Sequence, residues 1–200
     1  MKTLILVLGS IAILGCAVMR PPKTTIWEPQ TDVGRDFKSK YFKNLQIMVS
    51  ELRKIKEIAD IEGLLAKGVG SDSTSFYFGA RLGTYQKYNI LRTSFEERAA
   101  TATAENALPI LQTIGKQQEP ISDSKVSGVY FSIAWTAADF SNIYSSGDLE
   151  GIAMYINRET LQDYLSFKIS NQDLINRSTV IGYKNDRIIG RIQLNVGKNL

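Results

Sequence analysis

The side chains that could do chemistry in this chain are few, and their types exclude more than they permit. No histidine occurs in its 200 residues. That removes Ser-His-Asp and Cys-His nucleophile activation, the usual structural and catalytic zinc sites, haem ligation by histidine, and the side chain that switches charge near neutral pH. Cys16 is the only cysteine, so no disulfide framework, thiol pair or thiolate metal cluster can form within one chain. Any reaction would have to come from carboxylates, Lys, Tyr, Ser or Arg. Two acids at a set separation suffice for glycan cleavage, and Glu96, Glu97, Asp139, Asp148 and Glu150 are the candidates for such a pair. Glu97 is already explained as a helix cap, and Asp148 and Glu150 flank a turn. The balance favours a protein that is not an enzyme, with no catalytic residue, no metal and no cofactor.

Cys16 has a definite context. It ends MKTLILVLGSIAILGC, in which Lys2 is a short basic start and Leu4 to Leu14 carries no charge. Crossing a bilayer as a helix takes about 20 apolar residues, so the run is too short for a membrane span and fits a processed signal. Ile13-Leu14-Gly15-Cys16 resembles the lipobox of bacterial lipoproteins: a branched aliphatic residue, then a small residue, then the cysteine. Leu14 departs from the small residue favoured at its position. The resemblance implies a diacylglycerol on the Cys16 thiol, cleavage before Cys16, and contact with the membrane through acyl chains. Several acyl chains, at about 0.8 kcal/mol per buried CH₂, anchor stably where one does not. Ala17 follows the cysteine; the absence of Asp there resembles the outer-membrane default, which implies a lipoprotein of the bacterial cell envelope facing the periplasm. The resemblance covers the first 16 residues and carries no fold.

A second spacing, Ser122-Asp123-Ser124-Lys125, fits the S-x-x-K of penicillin-binding enzymes. The partner motifs of that family do not occur in suitable places, so the spacing reads as coincidence. Gly68 to Ser75 is a Gly/Ser-rich loop without the Gly-Lys-Ser/Thr end of a phosphate-binding loop. Tyrosines and phenylalanines from Phe76 to Tyr88, together with Arg81, Lys87 and Arg92, offer a surface for sugar stacking or an anionic glycan. Alternation sends about half of them to the core. Of the outward set, Tyr77 and Arg81 are the candidate ligand residues.

Composition supports a folded domain. Hydrophobic residues make up 44% and aromatics 10%, ordinary values for a globular chain. The formal charge is +4, with no basic tract, so nucleic acid is not an expected partner. The division expected is a signal peptide (1–15), a lipidated tether (16–35) rich in proline, and one α+β domain (36–200). Trp27, in the tether, is expected to pack on the domain rather than touch the bilayer.

The elements that must position these residues follow from periodicity. Phe37, Tyr41, Leu45, Met48, Leu52, Ile55 and Ala59 form one face of a helix over 36–60, with Asp36 as its N-cap; the face suits a helix laid on the domain's own sheet better than a coiled-coil partner. A short helix over 61–67 should end at Gly68. Alternation predicts a strand over 76–82 and a second extended piece over 85–92, joined by a turn at Gly83-Thr84. Ser94 and Glu97 form a capping box for an alanine-rich helix that Pro109 should kink or restart and Gly115 should end. Residues 115–127 read as a long polar loop. Strands are expected around 129–135 and 152–156, with Asn157 capping a helix to about Phe167 and Ser170 capping another. A hairpin, 179–183 with 188–196, should turn at Asn185-Asp186, with Ile188, Ile192, Leu194 and Val196 on one face. The fold class expected is therefore α+β: a mostly antiparallel sheet packed by the N-terminal amphipathic helix and the alanine-rich helix. Function is expected to be scaffolding, assembly or an accessory role in an envelope complex. A binding module for cell-wall glycan (peptidoglycan) or a small solute is the alternative, and a carboxylate-dependent glycan hydrolase the second alternative.

Overall fold

The structure is a computed structural model that describes residues 32–52, 54, 58–68, 76–142, 144 and 146–197; for 58–68, 76, 78–82 and 85 the description is of the backbone alone. Cys16, the lipobox, the tether to residue 31 with Trp27, and Ile55 lie outside it, as does the Gly/Ser-rich loop from Val69 to Ser75.

The chain runs α1 (Asp32–Lys40), α2 (Phe42–Leu52), β1 (Ile58–Gly68), β2 (Phe76–Asn89), α3 (Phe95–Ala102), a π-helical turn (Thr103–Ala107), α4 (Leu108–Gly115), α5 (Gln118–Ser122), β3 (Gly128–Ala138), β4 (Asp148–Asn157), α6 (Arg158–Leu165), α7 (Asn171–Asn176), β5 (Thr179–Lys184) and β6 (Arg187–Arg191). The six strands lie side by side in sequence order. Only β2 and β3 are parallel; every other pair is antiparallel. The parallel pair is where α3 to α5 intervene, and a parallel connection needs such a crossover. The α+β class with a mostly antiparallel sheet is as expected.

One hydrophobic cluster joins the helices to a single face of the sheet. On β3, Val129, Phe131, Ile133, Trp135 and Ala137 enter it; on β4, Ile152, Met154 and Ile156; on β5, Val180. From the helices come Phe37, Tyr41, Leu45, Met48 and Leu52, then Ile110, Leu111 and Ile114, then Leu161, Leu174 and Ile175. The stripe expected on the first helix is buried from Phe37 to Leu52. The helix itself is shorter than expected. It begins at Asp32 rather than after Asp36, is interrupted at Tyr41, and stops at Leu52.

The helix expected over 61–67 is instead strand β1, paired antiparallel with β2 from Ile58↔Thr84 to Gly68↔Phe76. Leu64-Leu65-Ala66 has local helix preference, but Gly63 and Gly68 weaken it, and pairing with β2, unbroken from Gly63 to Gly68, satisfies the backbone on that side. Nor does β2 turn at Gly83-Thr84. It continues to Asn89, and its pairing with β3 is irregular only between Gly83 and Lys87, where Thr84 Oγ1 donates to the Ala134 carbonyl at 3.2 Å.

The capping box forms: Glu97 N donates to Ser94 Oγ at 3.2 Å, and Ser94 N to Glu97 Oε2 at 2.8 Å. Pro109 restarts the helix as expected, through a π turn. Proline has no N–H to give the preceding turn, and the wider loop closes with Leu108 N on the Thr103 carbonyl. Asn157 and Ser170 cap α6 and α7 through Thr160 N and Asp173 N.

Residues 115–127 are not an irregular loop. They contain α5, and Asp123 ties the segment to the α1–α2 corner by accepting from Lys40 Nζ (2.8 Å), Tyr41 Oη (2.7 Å) and Lys125 N (2.9 Å). The last hairpin turns at Asn185 (φ 46°) and Asp186 (φ 62°), the left-handed pair that a two-residue turn requires. Strand β6 ends at Arg191, and Leu194 and Val196 continue into the core. The carboxamide of Gln172 holds that tail, donating to the Leu194 carbonyl at 2.8 Å and accepting from Val196 N at 2.9 Å. Ile188 does not share their face: a register shift beside Gly190 (φ 129°) separates them, and Ile188 is 75% exposed.

Candidate binding face of the sheet

The face of the sheet opposite the helix cluster is built from the alternate residues of each strand. Register places them in rows across the strands. One row is Gly79, Tyr130, Tyr155 and Thr179; the next is Arg81, Ser132, Ala153, Ile181 and Arg191; the next is Gly83, Ala134, Gly151, Tyr183 and Ile188. Tyr77, opposite Gly128, begins the series. The period of two that buries Phe131 and Ile133 on one side is what gathers the tyrosines on the other.

The tyrosines pack on each other. The Tyr77 and Tyr155 rings meet edge to face with centroids 5.7 Å apart, and Tyr130 and Tyr155 are tilted at 4.8 Å, both within the range where aromatic pairs attract. Tyr77 and Tyr155 are half-buried and Tyr130 is buried. Burial, reinforced by the neighbouring Tyr130 and Tyr77 phenols, pushes the Tyr155 hydroxyl up to about 12, so the ring and its O–H stay neutral at any physiological pH. Arg191 Nη2 donates to Thr179 Oγ1 at 2.7 Å at the β6 side.

The middle rows have a floor of small residues. Tyr183 lies over Gly151 and donates from its hydroxyl to the Ile133 carbonyl at 3.1 Å. A Cβ on Gly151 would stand 2.2 Å from Tyr183 Cζ and 2.5 Å from the Ile133 carbonyl oxygen. The glycine is what admits the ring.

Tyr77 and Arg81 therefore belong to one face, two rows apart with Gly79 between them on β2, and the side chain of Arg81 lies outside the described residues. Four members of the face, Tyr130, Tyr155, Tyr183 and Arg191, were not among the residues expected. Their signal is in the sequence: Tyr130-x-Ser132-x-Ala134 and Gly151-x-Ala153-x-Tyr155 alternate out of phase with the apolar residues. It becomes meaningful only when the pairing sets the rows side by side.

Four of the five candidate carboxylates are engaged elsewhere. Glu97 caps α3. Asp139 accepts from Ser141 N and Oγ, which hold it below its ordinary value. Asp148 pairs with Lys184 at 2.7 Å and accepts from Asn185, with the same effect. Glu150 is buried beneath α3: Arg98 Nε and Nη2 donate to its two oxygens at 2.8 Å each, and Trp135 Nε1 donates at 3.1 Å. Glu96 lies exposed in the first turn of α3.

Ser122 and Lys125 border an open cleft of about 460 Å³ between α1 and α5, together with Asp36, Lys40, Glu119 and Asp123. There the Lys40 ammonium, with Lys125 N and Tyr41 Oη, holds the Asp123 carboxyl well below the usual carboxylate range. Among the described residues there is no cluster of three or more Cys, Asp or Glu side chains fit to hold a metal, and no helix long and apolar enough to cross a membrane. Comparison of the chain with protein-family models, with curated proteins and with solved structures finds no match to any of them.

Proposed function

We propose that this chain is a lipid-anchored protein of the bacterial cell envelope, held to the membrane through acyl chains on Cys16, with a scaffolding, assembly or accessory role rather than a catalytic one. Its working surface is the face of the sheet that, among the described residues, no helix covers. The observation that carries this reading is the asymmetry of the sheet: the buried helix residues cluster with one face only, while the other presents tyrosines over a floor of Gly, Ala and Ser. Aromatic and arginine side chains on a rigid support are the usual anchors of a protein contact. The domain would face the periplasm from the outer membrane.

The experiment is crosslinking in intact cells followed by mild detergent extraction, with wild type and with a Tyr77→Ala/Tyr155→Ala variant. A partner recovered with wild type and lost with the variant supports the reading. Recovery of monomer alone from wild type refutes it. The anchor is tested separately. Cys16→Ser should leave the membrane fraction or accumulate as a longer precursor, and fractionation like wild type would refute lipid attachment.

A second reading has its own support. The Tyr155 ring, packed on Tyr77 and Tyr130 with Arg191 on the same face, suits stacking on a sugar ring and hydrogen bonding to its hydroxyls, which favours cell-wall glycan as ligand. Sedimentation with purified peptidoglycan, weakened by Tyr77→Ala or Arg81→Ala, distinguishes it from a protein partner.

A further inference from the structure

We infer that one end of the sheet is a second contact surface, and that its occupant is the lipid bilayer itself. Three connections converge there. Strands β2 and β3 are parallel and finish level, at Asn89↔Ala138. Strand β4 starts at that end, opposite Ala137, and the β5–β6 turn closes there beside Glu150. The connections are stitched together: Ile90 N donates to the Ala138 carbonyl at 3.1 Å, and Asn185 N to the Leu149 carbonyl at 2.7 Å.

At this end the chain exposes Ile90 (39%), Leu91 (64%), Phe140 (53%), Tyr144 (90%) and Leu149 (44%). Such a concentration of exposed apolar side chains marks a protein or membrane contact. Three features select the membrane. First, the apolar groups come from the connection after β2, the β3–β4 connection and the start of β4, rather than from one helix or strand that would seat on a partner. Second, the mixture of aliphatic residues with Phe and Tyr is the one that settles at the boundary between headgroups and acyl chains. Third, the chain between Cys16 and α1 is long enough. Residues 16–31 span at most about 50 Å when extended, whereas an 11-residue strand such as β3 is about 36 Å long. An anchor at Cys16 therefore allows this end of the domain to reach the same bilayer. The inference rests on the lipid-anchor reading for its setting. The charges nearby are mixed, with Lys87, Arg92 and Arg187 beside Asp139, Asp148 and Asp186, so the contact is apolar and does not require anionic lipid.

The test uses the full chain in vesicles of zwitterionic phospholipid that carry a bromine quencher on the acyl chain. A fluorophore is placed at Tyr144→Cys or Leu91→Cys, and at Phe167→Cys as the reference. Phe167 is 91% exposed in the α6–α7 connection, toward the other end of the sheet. The Tyr144 and Leu91 probes should be quenched several-fold more than the Phe167 probe, and raising salt should change this little. Equal quenching at the two ends, or more at Phe167, overturns the inference. So does intact-envelope crosslinking of the Tyr144 position to another protein in place of lipid. The Cys16→Ser fractionation reads the anchor by itself: quenching confined to the Tyr144 end upholds the bilayer contact even where the anchor claim fails, and its absence in anchored protein overturns the contact alone.

Discussion

Removing the Glu150 carboxylate should be among the most damaging single changes in this domain. The Arg98 and Glu150 side chains are 6% and 2% exposed. They meet through two parallel bonds of 2.8 Å, and Trp135 Nε1 uses one of the same oxygens. In Glu150→Ala the guanidinium stays buried with Thr93 O as its remaining protein acceptor. Breaking a buried pair from one side costs about 3–5 kcal/mol, a large share of the roughly 5–15 kcal/mol that holds a domain together. The assay is urea unfolding. With a slope of about 2 kcal/mol/M, the midpoint should fall by about 2 M at unchanged slope. Replacing both partners separates the charge from the contact: Arg98→Met/Glu150→Leu removes the stranded cation and should recover most of the loss. What it does not recover is the indole N–H, whose desolvation without an acceptor costs about 1–3 kcal/mol. A Glu150→Ala midpoint within about 0.5 M of wild type, or a double variant weaker than the single one, would refute the reasoning. A normally stable Glu150→Ala would also return Glu150 to the carboxylates available for catalysis.

Gly151→Ala should lower stability by about 1–3 kcal/mol, because its Cβ meets a backbone oxygen at 2.5 Å as well as the Tyr183 ring; a thermal midpoint equal to wild type would refute the role given to the glycine. Asp123→Asn should be less stable than wild type at neutral pH. The folded Asp123 pKa is depressed, so its contribution is present above the unfolded value of about 3.9 and is lost as pH falls toward the folded value. The gap between the two proteins should be constant above about pH 5 and narrow below about pH 4; a gap that widens in acid has the wrong sign. In the last turn, Asp186→Gly should be neutral or stabilising by up to about 1 kcal/mol, since only the positive φ is at issue. Asn185→Gly should instead destabilise by about 1 kcal/mol or more, because Asn185 Oδ1 accepts from Leu149 N at 2.9 Å. Equal effects at the two positions, read by urea unfolding, would contradict that division.

What the sequence shows plainly is what short-range physics decides. The caps at Ser94, Asn157 and Ser170 and the turn at Asn185-Asp186 each need only three or four neighbouring residues, and all four are where the residue types place them. The stripe from Phe37 to Leu52 was readable for the same reason, since its period is local. Strand β1 was not. Leu64-Leu65-Ala66-Lys67 prefers a helix by itself, and only its pairing with Phe76 to Ala80 makes it a strand. The order around Asp123 was hidden too, because its donors Lys40 and Tyr41 are more than 80 residues away. For the candidate face, the alternation around Tyr77 and Arg81 identified a surface and two of its residues. The rest required register, which sets Tyr130 beside Tyr155 and Arg191 across from Ile181.

That register also explains how, among the described residues, a sheet with helices on one side can leave the other without a covering layer. Tyr130 and Ser132, both on the helix-free face of β3, are each 5% exposed. Large side chains on this face stand next to Gly, Ala and Ser in the adjoining rows. Tyr183 folds over Gly151, and Tyr155 closes on Tyr130 and Tyr77. A tyrosine can lie flat only where its neighbour has little or no Cβ branch, so the small residues and the rings depend on one another. The sheet thus covers part of its own apolar surface with rings, of which Tyr77, Tyr155 and Tyr183 stay partly exposed. A ligand meeting such a face finds side chains already held by packing, so little conformational entropy remains to be lost on binding. The same packing makes Tyr77→Ala and Tyr155→Ala unequal as probes. Tyr155 touches both other rings, so its removal loosens the whole cluster, whereas loss of Tyr77 leaves the Tyr130–Tyr155 pair intact. If recognition depends on the held rings, binding should fall more for Tyr155→Ala than for Tyr77→Ala; the reverse order would place the contact at the β1–β2 side, around Arg81.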